Sequence, residues 1–266
     1  MKKLIVLLAL GVVAVLVLAA PASAQPRIKI ECGVYGPNRI DPIVSGSGHR
    51  HYQFGNTTTT NSSTGKSLKA AGSGATTCDK RWFTSAAWFP VERFAEYTLE
   101  PIDAYYRAPG DQKQVKDIPT GLEIIAKHPK YHCESWSTGR FEDTPPYSCT
   151  GRWNTQLQFP DCWDRESLKW EDGAHMRYSD RNGVCPQGYG YRIPALTYKI
   201  NHRAGIPNPL TVSAGIGAWE DYTFMHADYL AANQDVFDNE LIDLCLRNAP
   251  DSVTVADPRC GLEEGS

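Results

Sequence analysis

The sequence predicts a mainly β domain, a sandwich or jelly-roll-like fold with a few short helices, one C-terminal helix and up to four disulfides. Three observations carry that expectation. The 18 Pro and 22 Gly are scattered along the chain, which limits long helices and favours short strands joined by turns. Trp153, Thr155, Leu157 and Phe159 alternate with Asn154, Gln156 and Gln158, the period-two pattern of a half-buried strand. Eight cysteines, even in number, all follow residue 24 and contain no CxxC pair.

Taken in order, Lys2 and Lys3 precede an unbroken apolar run over 4–20, and Pro21-Ala22-Ser23-Ala24 ends in the small-x-small pattern cut by signal peptidases. Cleavage after Ala24 and an extracellular destination are expected. The competing reading, a retained anchor, is disfavoured because Pro21 breaks the helix and a cleavage site follows at once. No later segment is apolar and long enough to span a bilayer. In an exported protein the cysteines are expected to form structural disulfides. Eight allow about 105 pairings. Cys32 with Cys260 would tie the two ends together, and Cys133 with Cys149 would close a short polar loop.

Strands are expected over 28–31, 82–90, 97–106, 122–126, 153–159, 191–200 and 210–213. Val236, Phe237, Leu241, Leu244 and Cys245 fall at helical spacing behind the capping candidates Asn233 and Asp235. Residues 57–77 are almost entirely Thr, Ser, Gly, Ala and Asn, and are expected to be a mobile surface insertion in a single domain over 25–266. Removing the leader leaves 25 basic against 30 acidic side chains, a net charge of -5. That balance disfavours nucleic acid or another polyanion as partner and leaves neutral or basic glycans. The 7 Trp and 13 Tyr offer sugar-stacking surfaces, and with the 8 Phe they exclude disorder.

Metalloprotease, P-loop, dinucleotide and GxSxG motifs are absent. What the chain offers is histidines with suggestive neighbours. In Gly48-His49-Arg50-His51, an extended backbone sends both imidazoles to one side, where they can share a metal or grip an anion. The alternative is a surface loop with two incidental histidines. His226-Ala227-Asp228 repeats the spacing with an imidazole and a carboxylate, and His175 adds a further nitrogen. Asp164, at the end of the alternating strand beside Cys162 and Trp163, suits a general acid or a ligand-orienting group, though local sequence slightly favours an Asx-turn. His128, His132 and His202 lie in polar surroundings and are expected at the surface.

In this order the pieces resemble a secreted bacterial and fungal domain-of-unknown-function family, number nineteen-ninety-six, which in fungi is often joined to WSC-type carbohydrate-binding modules. The marks are Arg39-Ile40-Asp41-Pro42, Gly48-His49-Arg50-His51, Phe159-Pro160-Asp161-Cys162-Trp163-Asp164, His175-Met176-Arg177-Tyr178, Ile193-Pro194-Ala195-Leu196, His226-Ala227-Asp228 and Cys245-Leu246. The resemblance implies that His49, His51, Asp164, His175, His226 and Asp228 belong to a family pattern. The chain departs from that pattern at Asp172-Gly173-Ala174, where a second polar residue is usual, and at Ala231-Ala232-Asn233, where Asn-Gly-Trp is common.

The function expected is a monomeric extracellular enzyme, a hydrolase or lyase acting on a polysaccharide or cell-envelope glycan. His49, His51 and His226 would hold a divalent metal ion, with Asp164, His175 and Asp228 as the catalytic acid and base groups. A metal-free variant would use Asp164 and Asp228 as a glycosidase pair. The alternative is a non-catalytic glycan-binding or envelope-associated module.

Overall fold

The computed structural model describes residues 26–93, 99–135, 140–145, 149–203, 210–249 and 258–260. The leader expected over 1–24 and the start of the strand expected over 97–106 lie outside them. No helix among the described residues is long and apolar enough to cross a membrane. In chain order the strands are β1 Arg27–Cys32, β2 Tyr35–Asn38, β3 His51–Gly55, β4 Ala86–Pro90, β5 Ile102–Arg107, β6 Glu123–Ala126, β7 Lys130–Cys133, β8 Trp153–Gln158, β9 Cys162–Trp163, β10 Met176–Arg177, β11 Tyr191–Arg192, β12 Ala195–His202, β13 Thr211–Ser213, β14 Trp219–Asp221 and β15 Ala227–Leu230, with one α-helix, α1, at Gly65–Ala70.

Two five-stranded antiparallel sheets carry the fold, ordered β1-β5-β12-β8-β7 and β2-β3-β4-β15-β6. Alternation places one side chain in two on the shared interior. In the first sheet Ile28 faces Tyr106, Ile30 faces Ala104, and Tyr198 pairs with both Ala104 and Leu157. The second contributes Phe54, Phe89, Ile124 and Tyr229 to the same core. The layers touch through rings, Phe54 on Tyr198 at 4.7 Å and Phe159 on Tyr229 at 6.2 Å between centroids. This is the sandwich the alternation predicts. The strand expected over 191–200 divides at Pro194, which has no N–H for a ladder, so β11 joins a small three-stranded sheet with β9 and β10 while β12 enters the main one.

The outer face of the second sheet is also covered. Leu68 of α1 packs there on Ala86, Trp88 and Leu230, joined by Ile43. The 57–77 stretch supplies that cover through α1 and its hydrogen bonds. Thr64 and Ser67 form a reciprocal capping box, and the buried Asn56 donates to Leu68 O and Thr84 O while accepting from Thr58 N. Gly65 is required by proximity, since a Cβ would meet Gly121 N at 2.3 Å and Ala231 O at 2.6 Å.

All eight cysteines are bridged, as Cys32–Cys78, Cys133–Cys149, Cys162–Cys185 and Cys245–Cys260. The Cys133–Cys149 pairing agrees with the sequence; Cys32 with Cys260 does not, because β1 ends directly opposite Cys78. The C-terminal helix forms with wide π-helical turns over Phe237–Leu241 and Asp243–Arg247. Phe237, Leu241, Ile242, Cys245 and Leu246 are buried, whereas Val236 is exposed. Neither expected cap acts as one. Asp235 pairs with Lys69 and Asn233 bonds Tyr106, Tyr229 and Ser85 inside the core.

Within that helix Asp238 accepts from Ile118 N at 3.3 Å, and burial pushes its carboxyl from 3.8 up to about 7. A raised carboxyl binds its proton more tightly in the folded state, so its stabilising contribution is full below pH 3.8 and is lost as pH rises through about 7. Asp238→Asn keeps the acceptor and removes the charge. It is expected to raise unfolding free energy by about 1–2 kcal/mol at pH 8 and to change little at pH 4, after discounting for partial solvent access. Urea melts at both pH values check this; equal effects at the two would reject it.

Candidate metal centre and ligand cleft

The site grows from the outer face of the second sheet. Gln53, Trp88, Asp228 and Ile125 occupy one row across β3, β4, β15 and β6. Two residues along, His51 lies opposite Pro90, and the same register carried past the end of β15 brings His226 to the other side of Pro90. The proline ring is short, so the two imidazoles reach over it, their centroids 6.3 Å apart. His49 enters from the segment just before β3, on the side of the chain that His51 occupies. Its ring lies 4.2 Å from that of His51 and 5.2 Å from that of His226. One nitrogen from each of the three histidines lies within 4.8 Å of the others.

Asp41 organises the loop that delivers His49. Its Oδ1 accepts from Ile43 N at 3.1 Å and Val44 N at 2.8 Å, its Oδ2 from Ser47 Oγ at 3.0 Å, and its own N–H donates to Asn61. The carboxylate then lies 4.0 Å from His51 Nε2. Burial raises its pKa, with the hydrogen bonds opposing that rise.

Burial also sets the protonation of the histidines. Desolvation, then the neighbouring rings, holds His51 down to about 2, and desolvation holds His226 down to about 4 and lowers His49. All three are neutral imidazoles near neutral pH, the form that ligates metals. His226 Nδ1 lies 2.9 Å from Phe224 O, an acceptor only, so Nδ1 carries the hydrogen and Nε2 bears a lone pair. That lone pair looks at Asp228 Oδ2 from 3.5 Å. Asp228 is buried, its Oδ2 has no hydrogen-bond partner, and desolvation raises its pKa well above the ordinary value. Two acceptor atoms facing one another in a buried site need a proton or a cation between them.

The donor set fits a borderline divalent ion, since three imidazoles with an open side are a recurrent catalytic arrangement. One distance argues for adjustment: His49 and His51 Nε2 are 2.7 Å apart, a hydrogen bond, whereas nitrogens of a tetrahedral site at about 2.0–2.1 Å from the ion are separated by roughly 3.3 Å.

His49 and His226 line a cleft of about 560 Å³ whose walls include Trp170, Tyr222, Phe224 and Lys127. Lys127 sits over the Trp170 ring at 5.4 Å. The structure thus brings together His49, His51, His226 and Asp228. It leaves Asp164 and His175 outside the cleft lining. Asp164 Oδ1 accepts from Glu166 N in the Asx-turn that its position allowed. His175 is buried behind Trp170, with Nε2 2.7 Å from Glu123 O. Asp41, Trp170 and Phe224 were not singled out from the sequence; for Asp41 the signal was its place in Arg39-Ile40-Asp41-Pro42, upstream of the paired histidines. Of the histidines expected at the surface, His128 lies exposed on the cleft rim, but His202 is fully buried against Glu92 and Trp153.

No curated protein and no solved structure matches the chain. A family model does, over residues 41–232, from the carboxylate that shapes the histidine loop to just past the strand that carries Asp228. On that match the chain belongs to the family described as Domain of unknown function (DUF1996).

Proposed function

We propose that the protein is an exported glycan-active enzyme, a hydrolase or lyase, in which His49, His51 and His226 hold a divalent metal ion at the floor of the cleft. The observation that carries this reading is the convergence of three neutral imidazoles within 4.8 Å, beside a buried carboxylate whose Oδ2 has no partner. Four disulfides and the apolar leader support export. A bound divalent ion supplies a Lewis acid able to polarise a sugar oxygen or activate water. The residues do the rest. Phe224 O fixes the His226 tautomer and orients the ring, leaving the Nε2 lone pair for the ion, and Asp228 Oδ2, 3.5 Å from that nitrogen, places a carboxylate beside the ion. Trp170 and Phe224 offer apolar faces on which a pyranose can stack and which thin the water around the imidazoles. With Asp164 and His175 outside the lining, His128 and Asp143 are the rim groups able to move a proton.

Metal analysis of the purified chain, combined with product release from a panel of insoluble glycans, tests the reading. One equivalent of metal is expected, falling to background in His49→Ala/His51→Ala with an unchanged circular dichroism spectrum, and turnover is expected to fall with it. Unchanged metal content in that double variant defeats the proposal. The 2.7 Å bond between the two imidazoles favours a second reading, a metal-free glycan-binding module whose histidines hydrogen-bond the sugar. It requires saturable binding to a glycan, no metal and no released product.

A further inference from the structure

A second cavity lies one residue away from the histidine cleft. It measures about 190 Å³ and is lined by Arg39, Arg50, Ser213 and Trp219, with Gly215 and Gly217 at the tip of the β13–β14 hairpin. His49 lines the cleft and Arg50 lines this cavity, so their Cα atoms are about 3.8 Å apart. Alternation explains the split, because the residue between two imidazoles on one side of an extended chain points to the other.

The cavity concentrates positive charge in a protein whose overall balance is acidic. Arg39 and Arg50 both line it, and the Arg50 guanidinium lies 5.7 Å from the Trp219 ring centroid. No ion pair among the described residues involves Arg39 or Arg50. Ser213 Oγ accepts from Arg50 N at 3.0 Å, which leaves its hydroxyl hydrogen to donate. Two guanidiniums outside any ion pair and a hydroxyl hydrogen, around a space that seats about one sugar unit, suit a unit that carries a small planar anion. A carboxylate matches the guanidinium fork best.

We infer that this cavity is an accessory subsite for the carboxylate of a uronic acid on a glycan that the protein also engages at the histidine cleft. The inference rests on the glycan reading above and narrows it from neutral or basic glycans to acidic ones. The local arginine pair, rather than net charge, sets the preference, because screening confines charge effects to near neighbours.

The test is calorimetric binding of a glucuronic-acid trisaccharide and its carboxyl-reduced counterpart to the full chain at low salt. The acidic form is expected to bind at least tenfold more tightly. Arg39→Ala/Arg50→Ala is expected to erase that preference while metal content and melting temperature hold, and Arg39→Ala alone, at an exposed residue, is expected to reduce it should the double variant misfold. Equal affinity for the two sugars, or a preference that survives the double variant, overturns the subsite. So does arginine-dependent binding of inorganic sulfate without binding of the trisaccharide. In His49→Ala/His51→Ala the uronate preference is expected to persist, which supports the subsite whether or not the imidazoles hold metal; its loss there overturns an arginine site that acts on its own.

Discussion

Replacing His202 by Ala is expected to lower unfolding free energy by about 3–5 kcal/mol, the largest single-residue loss of stability foreseen in this fold. His202 Nε2 lies 2.9 Å from Glu92 Oε2, and both side chains are wholly shielded from water. Removing the imidazole strands a carboxylate near Thr155 Oγ1, 3.3 Å from Glu92 Oε1. It also deletes a stacked contact, in which the His202 and Trp153 rings lie 3.9 Å apart and within 10° of parallel. Against a typical total of about 5–15 kcal/mol, the variant is left with a small margin. Glu92→Leu/His202→Leu is expected to recover much of the loss, since an apolar pair avoids the stranded charge. Chemical denaturation of the wild type, Glu92→Leu, His202→Leu and the double variant reads the coupling directly. A His202→Ala loss under 1 kcal/mol, or a double variant less stable than either single one, contradicts this account.

His202 also marks where sequence reasoning stops. Asn201-His202-Arg203 is polar, and nothing local says that β12 continues to His202 in register with Trp153. Burial there is a property of the sheet. The same logic separates what was legible from what was not. The alternation over 153–159 was visible because β8 buries one face more fully than the other, with Gln158 exposed between Leu157 and Phe159. All five residues of β3 and all four of β15 are buried, because the outer face of their sheet is covered by α1 and the histidine loop. β3 alternates His51 and Gln53 with Tyr52 and Phe54 over only five residues, and β15 reads Ala-Asp-Tyr-Leu with no period-two polarity, so burial of both faces left neither strand a clear signal.

The site residues were nonetheless partly legible, through spacing rather than pattern. Two residues apart is the distance at which an extended chain returns a side chain to the same face, and both His49/His51 and His226/Asp228 use it. What spacing cannot supply is the register across Pro90 that joins the two pairs, or the fold of the loop around Asp41. Asp164 and His175 show the converse. Their motifs are as suggestive in sequence, yet Asp164 caps a turn and His175 serves the backbone of β6.

Within the cluster, Asp228→Asn is expected to weaken metal affinity about 10–100-fold while leaving three imidazoles in place. Asp228 Oδ2 lies 3.5 Å from His226 Nε2 and has no other partner, and burial makes the acid form dominate when no cation is near. A cation beside His226 reverses that preference, because its charge offsets the desolvation that otherwise protonates the carboxyl. Metal uptake should therefore release a proton that the Asn variant cannot release, and the wild type should lose affinity more steeply than the variant as pH falls. The amide occupies the same volume in the row with Trp88 and Ile125, so the fold is expected to hold. Competition titrations with a chromophoric chelator at several pH values measure both quantities. If wild type and Asp228→Asn bind metal equally and with the same pH slope, the carboxylate is only packing, and the buried oxygen without a partner has no role in holding the ion.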